Sequence, residues 1–211
     1  MDKGLFITFE GIDGCGKSSQ ITRLAGYFDG NNIPYLLLRE PGGTVVGEKI
    51  RNVLLDKKND NMNPICELLL FEAARAQIVD EVIRPNIDKG TIVICDRFFD
   101  STYAYQGHAR GLGSEMVKSL NLIATAGLEP DITFLFDLDP AVALERRGVR
   151  GEADDRLEAL GMAFQASVRE GYLDLASKTD RIVTVDASKT REEIFEVVKG
   201  AVEDRLGRRG N

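Results

Sequence analysis

Short apolar runs alternate with amphipathic stretches along the whole chain. Residues 5–9 (Leu5, Phe6, Ile7, Thr8, Phe9) form the first run, and Ile21, Leu24, Ala25 and Phe28 then recur at helical spacing. Further apolar runs at 35–38, 91–95, 132–137 and 182–185 predict four more strands, with 35–38 read as a second buried one. Helical patterns fall between them at 46–55, 64–88, 114–127 and 157–176. The longest carries Leu68, Phe71, Ala74, Ile78 and Val82 on one face. Asn63-Pro64 and Asp139-Pro140 each place a cap before a proline suited to the first helical position. Thr190 and Glu193 have capping-box spacing at the start of a last helix, and residues 199–211 are expected to fray into a charged tail. Residues 56–63 read as a polar link. Five strands alternating with helices predict an α/β domain with a mostly parallel sheet.

The link between the first strand and its helix carries the clearest chemistry. Gly11, Ile12, Asp13, Gly14, Cys15, Gly16, Lys17 and Ser18 match G-x-x-x-x-G-K-[ST] at every fixed position, between a strand and a helix. Glycines let backbone N–H groups approach an anion with no Cβ in the way, and the helix N-terminus adds partial positive charge. Lys17 supplies a mobile cation for the outer phosphates of a nucleotide, and the Ser18 hydroxyl is placed to bind Mg²⁺. A linking turn alone would not need all four fixed residues and both flanks.

Composition narrows the class of ligand. The 211 residues suit one domain, and a 43% apolar content is enough for a real core. A net charge of −7 argues against a broad footprint for a nucleic acid polymer, while a local Arg and Lys cluster can still hold a small anion. No apolar run approaches a membrane span, and no signal-peptide pattern precedes the first strand. Cys15, Cys66 and Cys95 are odd in number and lack metal-ligand spacing, so reduced thiols and a cytoplasmic location are expected. Cys15 reads first as a small residue filling a tight loop, and second as a thiol whose alkylation would block nucleotide binding. His108, the only histidine, has no triad partners and receives no role.

Other candidates sit where ligands bind in open parallel sheets, beyond the C-terminal strand ends. Arg39, Glu40, Pro41, Gly42, Gly43 and Thr44 follow the second strand, as a turn or as a binding loop. Asp96 and Arg97 close the third, and an Asp there can hold Mg²⁺ directly or through water. Residues 98–113, FFDSTYAYQGHARGLG, are rich in hydroxyls, amides and aromatics that suit a nucleobase and sugar. By periodicity alone Phe71 reads as core and Arg75 as a solvent-reaching neighbour. Residues 146–156 hold four arginines among glycines and acids, either a solvated surface segment or a lid closing over a phosphoryl group.

Taken together, FEGIDGCGKSS, REPGGT with Gly47, Glu48, Ile50 and Arg51, FEAAR, ICDRF, STYAYQG, RGEADDR and VREGYLDLA resemble the thymidylate kinase family over nearly the whole chain. The resemblance implies a P-loop nucleoside monophosphate kinase fold over 1–211: a five-stranded parallel sheet with helices on both faces and a small mobile lid at about 146–156. It implies transfer of a phosphoryl group from ATP to dTMP, with Mg²⁺, in a homodimer. By position, residues 11–18 would bind ATP and Asp13 would receive the dTMP 3′-hydroxyl. Phe71 would stack on thymine, Arg75 would hydrogen-bond a thymine carbonyl, and Arg97 would bind the acceptor phosphate. Thr102 would contact the base. Tyr105 would crowd out a 2′-hydroxyl. Glu40, Pro41, Arg51, Ser101 and Gln106 would line the same pocket. The loop positions Ile12, Asp13, Gly14 and Cys15 contain no arginine, which resembles the lid-arginine type typical of bacteria. Arg146, Arg147, Arg150 and Arg156 are then the lid candidates, with Arg150 and Arg156 taken as catalytic beside Lys17 and Arg97.

Two other readings compete with this one. A kinase for a different nucleoside monophosphate would share the fold and mechanism. A GTP-binding switch is disfavoured because no N-K-x-D guanine motif occurs.

Overall fold

The computed structural model describes residues 3–150 and 155–209, without the side chains of 149, 150, 208 and 209. Five strands form one parallel sheet: β1 (Phe6–Glu10), β2 (Tyr35–Arg39), β3 (Ile92–Asp96), β4 (Ile132–Asp137) and β5 (Ile182–Asp186), in the order β2-β3-β1-β4-β5. The helices are α1 (Lys17–Gly30), α2 (Val45–Leu55), α3 (Pro64–Ile78), α4 (Arg84–Asp88), α5 (Phe99–Thr102), α6 (Ser114–Thr125), α7 (Pro140–Arg150), α8 (Met162–Ala176) and α9 (Arg191–Arg209).

The uninterrupted apolar runs of the central strands follow from burial on both faces. Ile7 and Phe9 of β1 and Ile92 and Ile94 of β3 pack in one cluster with Leu24 and Phe28 of α1 and Ile194 and Val198 of α9. The alternate residues Phe6, Val93 and Cys95 pack on the other face against Ile78, Ile83 and Ile87. The outer strands differ. β2 was expected to be buried, but it lies at the sheet edge and is half exposed, with Leu37 43% accessible.

Local caps form as the sequence predicts. Asn63 Oδ1 accepts from the Ile65 N–H, and Asp139 Oδ1 from the Ala141 N–H. Thr190 and Glu193 exchange both capping-box hydrogen bonds. Three expectations need correction. The helix predicted over 64–88 contains a π-helical turn at Val79–Ile83. Pro85 explains it, since its ring lacks an N–H and crowds the preceding turn, and a widened turn accommodates both. The helix expected from 157 begins instead at Met162, because a 3₁₀ turn at Glu158–Leu160 ends in Gly161 at φ 84°. The tail expected to fray from 199 is helical to Arg209, because Val202 is fully buried and Leu206 packs on the same cluster.

Register places the candidate site. Phe9 and Arg39 both pair with Asp96, so the C-terminal ends of β1, β2 and β3 lie side by side. Their following loops open on the same edge of the sheet. No helix among the described residues is long and apolar enough to cross a membrane.

Candidate active site

The loop after β1 wraps the start of α1. Gly11 (φ 134°) and Gly14 (φ 88°) are obligatory here on two counts: positive φ, and contact. A Cβ on Gly11 would lie 2.6 Å from the Phe136 carbonyl oxygen, and one on Gly14 would lie 2.4 Å from that of Ala143. The loop is thereby pressed against β4 and α7, the helix that leads into the arginine segment. Lys17 is buried, and its ammonium donates to the carbonyls of Gly11 (3.0 Å) and Ile12 (3.3 Å). Cys15 is buried beneath it, with Sγ 3.8 Å from Lys17 Nζ. Burial pushes the Cys15 thiol up against the pull of Lys17 and Arg97, so the loop-filling role suits it better than a reactive one.

A cavity of about 830 Å³ opens at this edge. It is lined by Asp13, Gly14, Cys15, Gly16, Lys17 and Ser18 from the loop, by Glu40 and Pro41 after β2, by Arg51 on α2 and by Phe71 on α3. Asp96, Arg97, Ser101, Thr102, Tyr105 and Gln106, from β3 through the helical stretch after it, complete that wall. Residues 98–113 thus fold as α5 and a π-helical turn at Tyr103–Ala109, which buries Tyr105 and Gln106 while keeping both on the cavity. Phe71 is half-buried and belongs to none of the apolar clusters.

Arg97 is the hub of the cationic side. It has φ 70°, a left-handed conformation unusual for a residue other than glycine. Its backbone N–H donates to Phe9. Its guanidinium donates to Asp13 (2.7 Å), Ser101 (3.2 Å) and Tyr172 (3.1 Å) and lies 5.3 Å from the Tyr105 ring centroid. Burial opposes the charge on Asp13, but Arg97, Lys17 and Arg147 outweigh it and bring the carboxyl down to about 2. Behind Arg97, Glu10 accepts from the Phe98 N–H, Ser101 and Tyr172. Burial and then the charge of Asp100 push the Glu10 carboxyl up to about 7.

Two groups on the cavity lining, Ser18 and Asp96, are the candidates to hold a cation. Asp96 Oδ1 is buried with no hydrogen-bond partner, and Ser18 is exposed at the first turn of α1. Among the described residues no cluster of three or more His, Cys, Asp or Glu could hold a metal by itself. Mg²⁺ typically uses one or two protein ligands plus substrate phosphates and water, which this pair could provide.

Four sequence candidates lie elsewhere. Gly11 and Ile12 are buried under the loop and act through their carbonyls on Lys17. Arg75 is 1% exposed and is not on the cavity lining. Its Nε donates to Glu40 (2.9 Å), and its Nη1 to Glu72 (2.8 Å) and Asn121 (3.2 Å). Burial opposes its charge, but Glu40 and Glu72 prevail and raise its pKa. Arg75 thus reaches the cavity through Glu40, rather than solvent as its spacing suggested. Arg156 is also off the cavity, in a buried ion pair with Glu67 (2.7 Å). Arg150 falls outside the described side chains. From the arginine segment, Arg146 and Arg147 line the cavity, Arg146 donating to the Ala187 carbonyl and Arg147 lying 3.8 Å from Glu158. No spacing or periodicity singles out Glu10, Glu67 or Tyr172, since each acts on partners far along the chain.

Comparison with known proteins places the chain in a family. The family model described as thymidylate kinase matches residues 9–198. A thymidylate kinase of Symbiobacterium thermophilum is 49% identical over 206 residues, covering 97% of this chain and 95% of its own. One from Thermoanaerobacter pseudethanolicus is 51% identical over 202 residues (93% and 98%), and one from Chlorobium luteolum is 45% identical over 211 residues (96% and 98%). With a model spanning most of the sequence and relatives near half identity over almost their full lengths, the chain belongs to the thymidylate kinase family.

Proposed function

We propose that this chain transfers the γ-phosphoryl group of ATP to dTMP, giving dTDP and ADP and so feeding dTTP synthesis for DNA replication. The observation that carries this reading is the convergence of Arg97, Lys17 and Arg147 on Asp13 within one cavity. Such a cluster suits two anionic groups brought end to end, and phosphoryl transfer needs in-line positioning and charge neutralisation more than covalent chemistry.

In this reading the loop amides and Lys17 hold the ATP phosphates, and Arg97 holds the acceptor phosphate. Asp13, Ser101 and Tyr172 keep the Arg97 fork in place. The acceptor phosphate oxygen is itself the nucleophile and needs no strong base at neutral pH. Phe71 stacks on the pyrimidine, Thr102 and Gln106 contact it, and Tyr105 crowds the sugar 2′ position. Residues 146–156 act as the lid, excluding water that would otherwise hydrolyse ATP. Arg147 takes the phosphate-facing role among the described lid arginines, while Arg156 anchors. Ser18 and Asp96 would hold Mg²⁺, which when bound neutralises charge on the phosphoryl oxygens.

Val45, Leu69, Leu122 and Ile123 on α2, α3 and α6 are 74%, 50%, 64% and 74% exposed, and we assign this apolar face to a homodimer contact. Reduced cysteines fit the cytoplasm.

Coupled ADP release with dTMP, dUMP, dCMP, dGMP and UMP as acceptors tests the function. The highest kcat/KM is expected for dTMP. No ADP with dTMP, or a better acceptor among the others, would overturn the assignment.

A further inference from the structure

One fully buried carboxylate gathers three polar partners from distant parts of the chain. Glu67 of α3 accepts from Gln106 Nε2 (2.8 Å) and from Arg110 Nη2 (3.0 Å) and Nε (3.3 Å), and it is ion-paired with Arg156 Nη1 at 2.7 Å. Arg156 is itself fixed by donating Nε to the Leu54 carbonyl (2.7 Å). Burial disfavours the charge on Glu67, but the hydrogen bonds of Arg110 and Gln106 and the charges of Arg110 and Arg156 hold its carboxyl below the ordinary range. An ionised carboxylate only accepts hydrogen bonds. The Gln106 amide therefore has one permitted orientation: its NH₂ faces Glu67, and its Oε1 is the atom available to the cavity. No hydrogen bond among the described residues uses that oxygen.

We propose that Glu67 is a positioning residue for base selection, fixing the Gln106 amide so that its carbonyl oxygen faces the base. The inference rests on the reading that a pyrimidine lies against Phe71, Thr102 and Gln106. A fixed acceptor welcomes a ring N–H. Thymine and uracil carry one at N3, whereas cytosine presents a lone pair there. Two opposed acceptors leave both polar atoms unpaired in a buried site, which is costly. Were the amide free to turn over, its NH₂ would serve the cytosine N3 equally well. Arg110 and Arg156 support this selection by keeping Glu67 charged. That gives Arg156 a task at the acceptor site and removes it from the phosphates.

The test is the ratio of kcat/KM for dTMP over dCMP in the full chain, as wild type, Glu67→Gln, Gln106→Leu and the double variant. A neutral amide at 67 can face Gln106 with either end. Glu67→Gln is expected to lower the ratio about tenfold or more, with the KM for ATP changed by less than about twofold. Gln106→Leu is expected to lower it similarly, and adding Glu67→Gln to it should lower it no further. A ratio in Glu67→Gln within about twofold of wild type, or an equal loss in the Gln106→Leu background, would overturn the proposal. Should two arginines without their counter-charge prevent folding, Glu67→Gln with Arg110→Gln keeps the net charge of the cluster and is measured in the same way. Calorimetric binding of dTMP and dCMP gives the discrimination without turnover. A wild type that binds dTMP but does not phosphorylate it would therefore count against the function and leave this inference standing on its own result.

Discussion

The Asp13 carboxylate and the Arg97 guanidinium stand 84 positions apart in sequence and 2.7 Å apart in the cavity wall. Arg97 is held there despite a left-handed backbone, because its N–H is bonded to Phe9 and its fork to Asp13, Ser101 and Tyr172. A planar fork can serve these partners and still present an edge to a phosphate, which a lysine ammonium cannot do. Arg97→Lys is expected to lower kcat/KM for dTMP by roughly a hundredfold while leaving ATP binding near its wild-type value. Steady-state kinetics with each substrate varied in turn checks this. A loss confined to ATP would contradict the role.

Lys17 is the second clamp. Its ammonium rests on the Gly11 and Ile12 carbonyls, within the loop that would receive the triphosphate. Lys17→Ala is expected to lower kcat by about 10²–10³, comparable to other lost charge clamps. Binding of dTMP alone, measured by calorimetry, should be unchanged. Near-normal turnover would remove Lys17 from the mechanism.

The acceptor wall makes a different demand on Phe71, which is half-buried, lines the cavity and joins no apolar cluster. Stacking of a base on an aromatic ring contributes about 1–3 kcal/mol, so Phe71→Ala should raise the KM for dTMP by about tenfold or more. The KM for ATP and the melting temperature should move little. A large drop in stability with an unchanged KM for dTMP would show that the ring serves packing.

Glu10 gives the molecule a dependence on pH. Its carboxyl is raised from 4.5 to about 7 by burial and by Asp100, against Arg97 and the hydrogen bonds of Ser101 and Tyr172. The folded state thus binds this proton more tightly than the unfolded state. The stability it confers is present below pH 4.5 and is lost as pH rises towards 7 and beyond. The loss for this group is on the order of 3 kcal/mol at pH 8. Glu10→Gln removes the dependence, so its stability relative to wild type should improve by on the order of 2–3 kcal/mol between acid and pH 8, as read by urea unfolding across pH. A difference that does not vary with pH would contradict the assignment.

The sequence made the phosphate loop legible because its chemistry is local: strand, glycines, lysine and helix lie within residues 5–24. The position of Asp96 at the cavity end of β3 was legible for the same reason, since an acid closes a short apolar run. Long-range partners were not. Glu10 meets Tyr172 across 162 positions, and no periodicity encodes that contact. Arg156 looked like a phosphate ligand because it lies in an arginine-rich stretch. Its destination was set by Glu67, a buried acid that helical spacing marks only as one residue among many on α3. The final helix outlasted its predicted end because Val202 has a core to enter, which a charged composition conceals.

Phosphoryl transfer at this site requires two nucleotides to meet phosphate to phosphate between Lys17 and Arg97. A crystal structure of the full chain with dTMP and a non-hydrolysable ATP analogue tests this most directly. The account predicts the triphosphate against Lys17 and the loop amides, the monophosphate on Arg97 and the thymine on Phe71. A pyrimidine remote from Arg97, or a triphosphate away from Lys17, would contradict it.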